Sequence, residues 1–368
     1  MPMIENTLPY ISLKTRLLYQ EKVADILRSG KLIEGYYNQM LESKAKSFLG
    51  VPHVATLSDA TSALFLIFKY YNLENTEVLF PSNTFISPVF SAENAKVKIK
   101  LVDINLEDFN IDYDDLKRKI TKKTKALVLT HIAGTVSKDI DKIKKLCKAS
   151  NILLIEDASH AFGASINNAK AGAIGNVAVF SMYATKIITG GTGALIASND
   201  IEFDKFIRKA RHHGNTGASN DFLSGDFLLS EFNALLACLQ LDEIQDTIML
   251  RNNINYIYRK ELKEIFADVG VHFQYVSDNA TSSFYKEILF FENASILKKI
   301  SDHLKEKQVK IGHCYQVQLH QQKTVSISNE TFPNATLFSK NHLSLPCHLG
   351  LSSNEIDYVV KSVKESLE

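Results

Sequence analysis

The 368-residue chain carries 42 basic and 41 acidic side chains, a formal net charge of +1, and is 45% hydrophobic and 23% charged. This is ordinary globular composition, long enough for two cored domains, and the charge balance excludes the global basic field that grips nucleic acid or an anionic membrane. No run approaches the ~18 apolar residues of a membrane span, the opening MPMIENTLPYISLKTR lacks a signal-peptide core, and Cys147, Cys238, Cys314 and Cys347 are too scattered for a disulfide framework or a metal site, so a cytoplasmic protein without bound metal is expected.

Residues 13–29 space Leu17, Val23, Ile26 and Leu27 as a helix does. VATL (54–57) reads as a short buried strand. It runs through Ser58-Asp59-Ala60-Thr61 into ALFLIFKYY, a helix apolar on nearly all sides. EVLF (77–80) is strand-like and is followed by the loop PSNTFISP. KIKLVDI (98–104) is a strand, 112–120 helical, KALVLTH (125–131) a strand, 137–149 a helix, and NILLIED (151–157) a strand. NVAVFSM (176–182) and GALIAS (193–198) complete the set. Strands alternating with helices imply an α/β fold with a mostly parallel sheet covered on both faces, and such sheets collect ligands at the C-terminal ends of their strands. Residues 230–262 read as one or two long helices, and the domain boundary is placed near 250. The large domain is thus 1–250, its first dozen residues packing on the small one, and 251–368 is a smaller α+β lobe. That lobe has a strand at 284–291, a helix at 295–306, a short VKI strand at 309–311 and a last helix from about 353, where Ser352 and Glu355 form a capping-box pattern.

Five features at these strand ends bear on chemistry. Lys186 follows strand 176–182 and precedes Gly190, Gly191 and Gly193. A lysine so placed can be desolvated, which lowers its pKa and sharpens it as a nucleophile toward an aldehyde, although most lysines are solvated surface charges. Asp157 ends an apolar strand, where a carboxylate is costly unless it meets a cation. A protonated pyridine nitrogen would serve as that cation, and capping of the next helix is the equally weighted alternative. Thr61 and Ser62 open a helix, and Ser181 ends a strand. Hydroxyls and free amide groups there favour a phosphate, against the commoner role of plain N-caps. Phe85, after a strand, could stack on a flat ring or simply pack in the core.

Taken together these motifs resemble the DegT/StrS family of sugar aminotransferases. SDATSAL (58–64), PSNTFIS (81–87), VDINLEDFNID (102–112), THIAG (130–134), IEDASHAFGA (155–164), the run from Gly172 to Gly193, and LSLPCHLGLSSNEIDYVVKSV (343–363) carry the resemblance over nearly the whole chain. It implies a pyridoxal-5'-phosphate-dependent enzyme of the aspartate-aminotransferase-like fold (fold type I), with pyridoxamine 5'-phosphate as the intermediate cofactor form. By the same resemblance Lys186 would bond the cofactor aldehyde, Asp157 would hold the pyridinium nitrogen, and His160 would contact the ring hydroxyl. Ser181, Thr61 and Ser62 would hold the phosphate, and Phe85 would stack on the ring. The implied partners are L-glutamate, leaving as 2-oxoglutarate, and a nucleotide-linked keto-sugar, with a dTDP-4-keto-6-deoxyhexose favoured over a 3-keto-sugar. The implied assembly is a homodimer with its active sites at the interface. His313 and Tyr315, in IGHCYQVQLH (311–320), are candidate sugar contacts or else hydrogen-bonded structural residues.

Two departures stand out. Relatives carry an Asn, and two residues later an Arg or Lys, before the helix beginning SE, and that Asn reaches the partner's phosphate. Here Asp226 and Leu228 occupy those positions, and an ionised aspartate cannot donate to a phosphate. Asp59-Ala60 also replaces the usual Asn-Gly or Ser-Gly. Asp226 and Leu228 leave room for a non-catalytic cofactor-binding regulator, and the lysine motif alone would also suit an elimination or decarboxylation enzyme. A nucleotide-binding dehydrogenase is disfavoured, because no G-x-G-x-x-G follows the first strand.

Overall fold

The computed structural model describes residues 3–217, 219–325 and 330–368. Helix α1 (Leu13–Ser29) starts where the Ser12 hydroxyl accepts from the Thr15 amide and stops at Gly30, in the left-handed region with φ 66°. Then come α2 (Tyr36–Leu49), β1 (His53–Leu57), α3 (Ala60–Tyr70), β2 (Glu77–Pro81), α4 (Ile86–Asn94), β3 (Lys98–Val102), α5 (Tyr113–Lys119), β4 (Thr124–Thr130), α6 (Ile140–Ala149), β5 (Leu153–Asp157), β6 (Ser165–Ile166), β7 (Ala169–Lys170), β8 (Val177–Ser181) and β9 (Ala194–Ser198). Seven of these strands form one sheet in the order β1-β9-β8-β5-β4-β2-β3. Pairings β2–β3, β2–β4, β4–β5 and β5–β8 are parallel, and β9 runs antiparallel between β1 and β8. The sheet is the mostly parallel, helix-flanked layer expected.

The period-2 alternation of these strands divides the apolar side chains between two cores. On β4, Leu127 and Leu129 enter a cluster with Leu41, Phe162 and Phe180. Ala126 and Val128 enter the opposite cluster with Phe68, Phe80 and Phe203. Helices α7 (Ile201–Ala210), α8 (Glu231–Asp242) and α9 (Ile244–Ala267) follow. Residue 250 lies inside α9, which runs unbroken, so the chain crosses out of the large sheet's layer within a helix. Buried Glu231 ties α8 to α2, accepting from the amides of Gly35, Tyr37 and Asn38.

The remainder comprises β10 (Val271–Phe273), β11 (Ala280–Thr281), β12 (Glu287–Phe291), α10 (Ala294–Glu306), α11 (Pro333–Lys340), β13 (His342–Leu345) and α12 (Ser353–Glu365). An antiparallel sheet β10-β12-β13 and a third core containing Tyr258, Phe266, Phe291, Ile300 and Val359 hold it together. Ile4 joins that core and bridges to Val309. The capping box at α12 is present in full, with Ser352 and Glu355 each accepting from the other's amide.

Two expectations need correction. The strand expected at 284–291 begins only at Glu287, because Phe284 turns into the left-handed region (φ 43°) and sends Tyr285 and Lys286 elsewhere. The short strand at 309–311 is reduced to single bridges, Ile4 with Val309 and Gly312 with Ser344. Past Gly312 the chain leaves the sheet edge for the wall of a cavity, so no ladder can propagate.

Candidate active site

A cavity of about 340 Å³ opens at the C-terminal ends of the parallel strands. Asp59 and Thr61 come from the end of β1, Phe85 from the end of β2, Thr130 from β4, Asp157 and His160 from β5, and Ser181 and Lys186 from β8. The far wall is built by Tyr285, Lys286, His313, Cys314 and Tyr315, from the C-terminal part of the chain.

Lys186 stands on a tight turn. Its amide donates to the Tyr183 carbonyl, and the amide of Gly190 returns to the carbonyl of Met182. A Cβ at Gly190 would lie 2.8 Å from the backbone oxygen of Asn233 in α8, so only glycine lets the turn pack against that helix. Among the described residues no carboxylate is in salt-bridge contact with the lysine side chain, and its Nζ sits 4.7 Å from the ring centroid of Tyr285. Burial is the main cause that pushes its pKa down to about 8. The carboxylate of Asp157 opposes that shift and the charge of Lys286 assists it.

Two adjacent carboxylates end β5, and alternation separates their roles. Glu156, fully buried, points beneath the sheet and accepts from the amides of Gly172, Ile174 and Gly175, with His131 Nε2 at 2.9 Å. Asp157 points into the cavity. Its Oδ1 accepts from the Ser159 amide at 3.1 Å, and among the described residues no protein donor reaches Oδ2.

His160 is held by two contacts. Its Nδ1 accepts from the Ala133 amide at 3.3 Å, which places the proton on Nε2, 3.2 Å from the Tyr315 hydroxyl. Burial first, then the charges of Lys186 and Lys286, push its pKa well below the usual histidine value, so the ring is neutral. Tyr285 stacks on it with centroids 4.3 Å apart and bonds Thr185 through its hydroxyl at 3.0 Å. His313 donates from Nδ1 to the His342 carbonyl at 3.1 Å, which leaves Nε2 as an acceptor.

At the other end of the cavity, Thr61 lines the wall with its hydroxyl 2.6 Å from that of Ser87, and Ser181 lines it half-buried. Ser62 lies apart from these. It does not line the cavity, because its amide and hydroxyl both donate to Asp59, the N-cap of α3, at 2.8 and 2.9 Å. The capping carboxylate claims that side chain. The first two amides of α3, at Ala60 and Thr61, have no acceptor among the described residues. Phe85 is the N-cap of α4, 56% exposed, with its ring 6.1 Å from that of Tyr315. Asp226 lies outside this chain's cavity, exposed, and accepts from the Leu228 amide.

The structure therefore brings together Lys186, Asp157, His160, Thr61, Ser181, Phe85, His313 and Tyr315, and leaves out Ser62 and Asp226. Tyr285, Lys286, Thr185 and Cys314 escaped the reading of the sequence. For Tyr285 and Lys286 an aromatic residue followed by a cation, just ahead of an apolar run, was the one local signal, and it reads equally well as a strand.

The model of the DegT/DnrJ/EryC1/StrS aminotransferase family matches residues 16–364. The chain is 26% identical over 363 residues to the UDP-4-amino-4,6-dideoxy-N-acetyl-beta-L-altrosamine transaminase of Helicobacter pylori, covering 95% of each chain. It is 27% identical over 365 residues to the dTDP-3-amino-3,6-dideoxy-alpha-D-galactopyranose transaminase of Aneurinibacillus thermoaerophilus, covering 97% of this chain and 98% of that one. The crystal structure of the aminotransferase TlmJ from Streptoalloteichus hindustanus superposes with a TM-score of 0.91 at 24% identity over 99% of both chains, a likeness of fold.

Proposed function

This chain belongs to the DegT/DnrJ/EryC1/StrS aminotransferase family, and from that premise we propose that it moves the amino group of L-glutamate to C4 of a dTDP-linked 4-keto-6-deoxyhexose. The product would be a 4-amino-4,6-dideoxy sugar for a surface polysaccharide or an antibiotic. The chain is a pyridoxal-phosphate-dependent aminotransferase of nucleotide sugars with the fold type I architecture. The observation that carries the reading is the pairing of Lys186 and Asp157 across one cavity at the strand ends.

The residues present fit the cofactor. Lys186 offers a desolvated amine for the aldehyde, and the free Oδ2 of Asp157 faces the cavity to meet a protonated ring nitrogen. Two unpaired amides at the start of α3, with the hydroxyls of Thr61 and Ser181, suit a phosphate. The capping carboxylate of Asp59 is an unfavourable neighbour for that phosphate, although three hydroxyl and amide donors already hold it. When bound, pyridoxal phosphate supplies an electrophilic aldehyde and an electron-withdrawing ring.

The protein's own groups do the rest. With its pKa lowered to about 8, the Lys186 amine is neutral in a larger fraction than an ordinary lysine, so its Nζ could take a proton from the donor's α-carbon and later return one to the sugar carbon. Asp157 holds positive charge at the ring nitrogen. Neutral His160 donates from Nε2 toward the ring hydroxyl or Tyr315. Phe85 covers one face of the ring, and His313 and Tyr315 meet the sugar.

Phe85 and Tyr183, at the rim, are 56% and 58% exposed. Exposed aromatic rings at the mouth of a site support a homodimer whose second copy covers it. No helix among the described residues is long and apolar enough to cross a membrane. Four free, buried cysteines support a reducing, cytoplasmic setting. We further read 1–250 as the cofactor-binding domain and 251–368 as the domain that supplies the far wall.

The pure protein, incubated with glutamate and a panel of dTDP-, UDP- and GDP-linked 4-keto and 3-keto sugars, is expected to aminate the dTDP-4-keto sugar, as read by product mass and by the position of the new amine. Amination of 3-keto sugars alone would sink the C4 reading. A second expectation concerns pH. Because the lysine's pKa is lowered to about 8, capture of the cofactor by cofactor-free protein should speed up about tenfold per pH unit below that value and level off above it. A rate still climbing steeply at pH 10 would show an ordinary, solvated lysine.

A further inference from the structure

Lys286 is a second cation in the same cavity as Lys186. It is fixed at its backbone, where its amide donates to the Ala133 carbonyl at 3.3 Å. Its Nζ stands 5.8 Å from the Tyr285 ring centroid, against 4.7 Å for Lys186, so both amines lie against the same ring. The carboxylate next to it in sequence, Glu287, is committed to Arg259 at 2.8 Å. Asp59 is tied to Ser58 and Ser62. Among the described residues Lys286 has no carboxylate partner.

A half-buried cation beside another amine is unfavourable unless an anion joins them. The two substrates differ in where they carry negative charge. An α-amino acid bears a carboxylate on the very carbon that carries its nitrogen, next to the atom whose proton Lys186 takes. A nucleotide-linked sugar bears its phosphates at the anomeric carbon, across the sugar ring from a C4 ketone. A cation that shares one cavity and one aromatic ring with the Lys186 amine matches the first and not the second.

We propose that Lys286 holds the α-carboxylate of the amino donor, and so selects α-amino acids over simple amines in one half-reaction only. This rests on the amino-transfer reading above. A charge-assisted hydrogen bond of this kind orients the donor's α-carbon toward Lys186 as well as binding it.

The test separates the halves. The cofactor-loaded protein is mixed rapidly with L-glutamate, L-glutamine and L-alanine, and loss of the cofactor's visible band is followed. Protein loaded with pyridoxamine phosphate is then mixed with 2-oxoglutarate or with the keto-sugar. With Lys286→Met, the amino-acid and 2-oxoglutarate concentrations for half-maximal rate should rise by roughly ten- to a hundredfold, and the keto-sugar's by less than about threefold. Lys286→Arg, which keeps the charge, should recover most of the loss. Unchanged amino-acid kinetics in Lys286→Met would overturn the proposal, as would equal losses in both halves. A loss confined to the keto-sugar would also overturn it, by assigning the lysine to the nucleotide phosphates. Where the unaltered protein reacts with one of these amino acids but not with glutamate, the donor is corrected and the same Lys286→Met comparison with that amino acid supports or overturns the proposal. Protein that reacts with none defeats both readings.

Discussion

Replacing Lys186 by alanine is expected to lower turnover by about four orders of magnitude while the protein stays folded. Two functions are lost together. In the proposed mechanism the amine serves both as the nucleophile toward the aldehyde and as the proton carrier, the second role worth about 10²- to 10⁴-fold by itself. Folding should not suffer, because among the described residues the side chain has no salt-bridge partner and it rests over Tyr285 at 4.7 Å.

The sign of the stability effect follows from its lowered pKa. Between about pH 8 and the ordinary lysine value the unfolded chain holds a proton that the folded chain has shed. Stability of the cofactor-free protein therefore rises with pH across that window. Below it, both states are protonated and the buried charge is a fixed cost. Lys186→Ala removes that cost, so the cofactor-free variant should melt at or above the parent's temperature at pH 7. The measurements are steady-state amino transfer, the visible band of the bound cofactor, and thermal melting. A variant that kept a tenth of the parent's turnover would show that another amine does the chemistry.

Asp157→Asn is expected to cost about a hundred- to a thousandfold in turnover with little change in fold. Asparagine keeps the oxygen that accepts from Ser159 and loses only the charge. A unit-charge pair at ~4 Å with an effective dielectric near 20 is worth ~4 kcal/mol, and about 1.4 kcal/mol is tenfold in rate. The loss should fall on the limiting rate of both half-reactions, because the ring nitrogen's charge matters in each. The contrast with Lys286→Met, whose effect belongs to the donor half, makes the two variants controls for each other. If Asp157→Asn transaminated within threefold of the parent, the carboxylate would be a turn-capping residue, as its bond to the Ser159 amide would also allow.

Much of this site was legible before any coordinates. Apolar runs of four or five residues punctuated by polar ones define strands, and a parallel sheet brings all their C-terminal ends to one edge. Residues 61, 157, 160, 181 and 186 had to share that edge, and they do. The distinction between Glu156 and Asp157 follows from the same periodicity, since neighbouring residues on a strand face opposite sides. The capping box at Ser352 and Glu355 is equally local, because its partners lie three residues apart.

What the sequence left undetermined is what depends on long-range packing. Ser62 has the right type and place for a phosphate ligand, and only the geometry of α3 shows its hydroxyl turned to Asp59. Tyr285 and Lys286 sit in a run that reads as strand, and a left-handed residue at Phe284 lifts them off the sheet. Tyr315 meets His160 across 155 residues of chain. Strand and helix periods fix which way a side chain faces relative to its neighbours in sequence. Which distant segment arrives opposite it is decided by how the third core docks on the first two, and no local spacing encodes that. Sequence thus determined the lysine, the aspartate and the edge they share, and tertiary packing decided the wall that faces them and the second lysine, Lys286, that it carries.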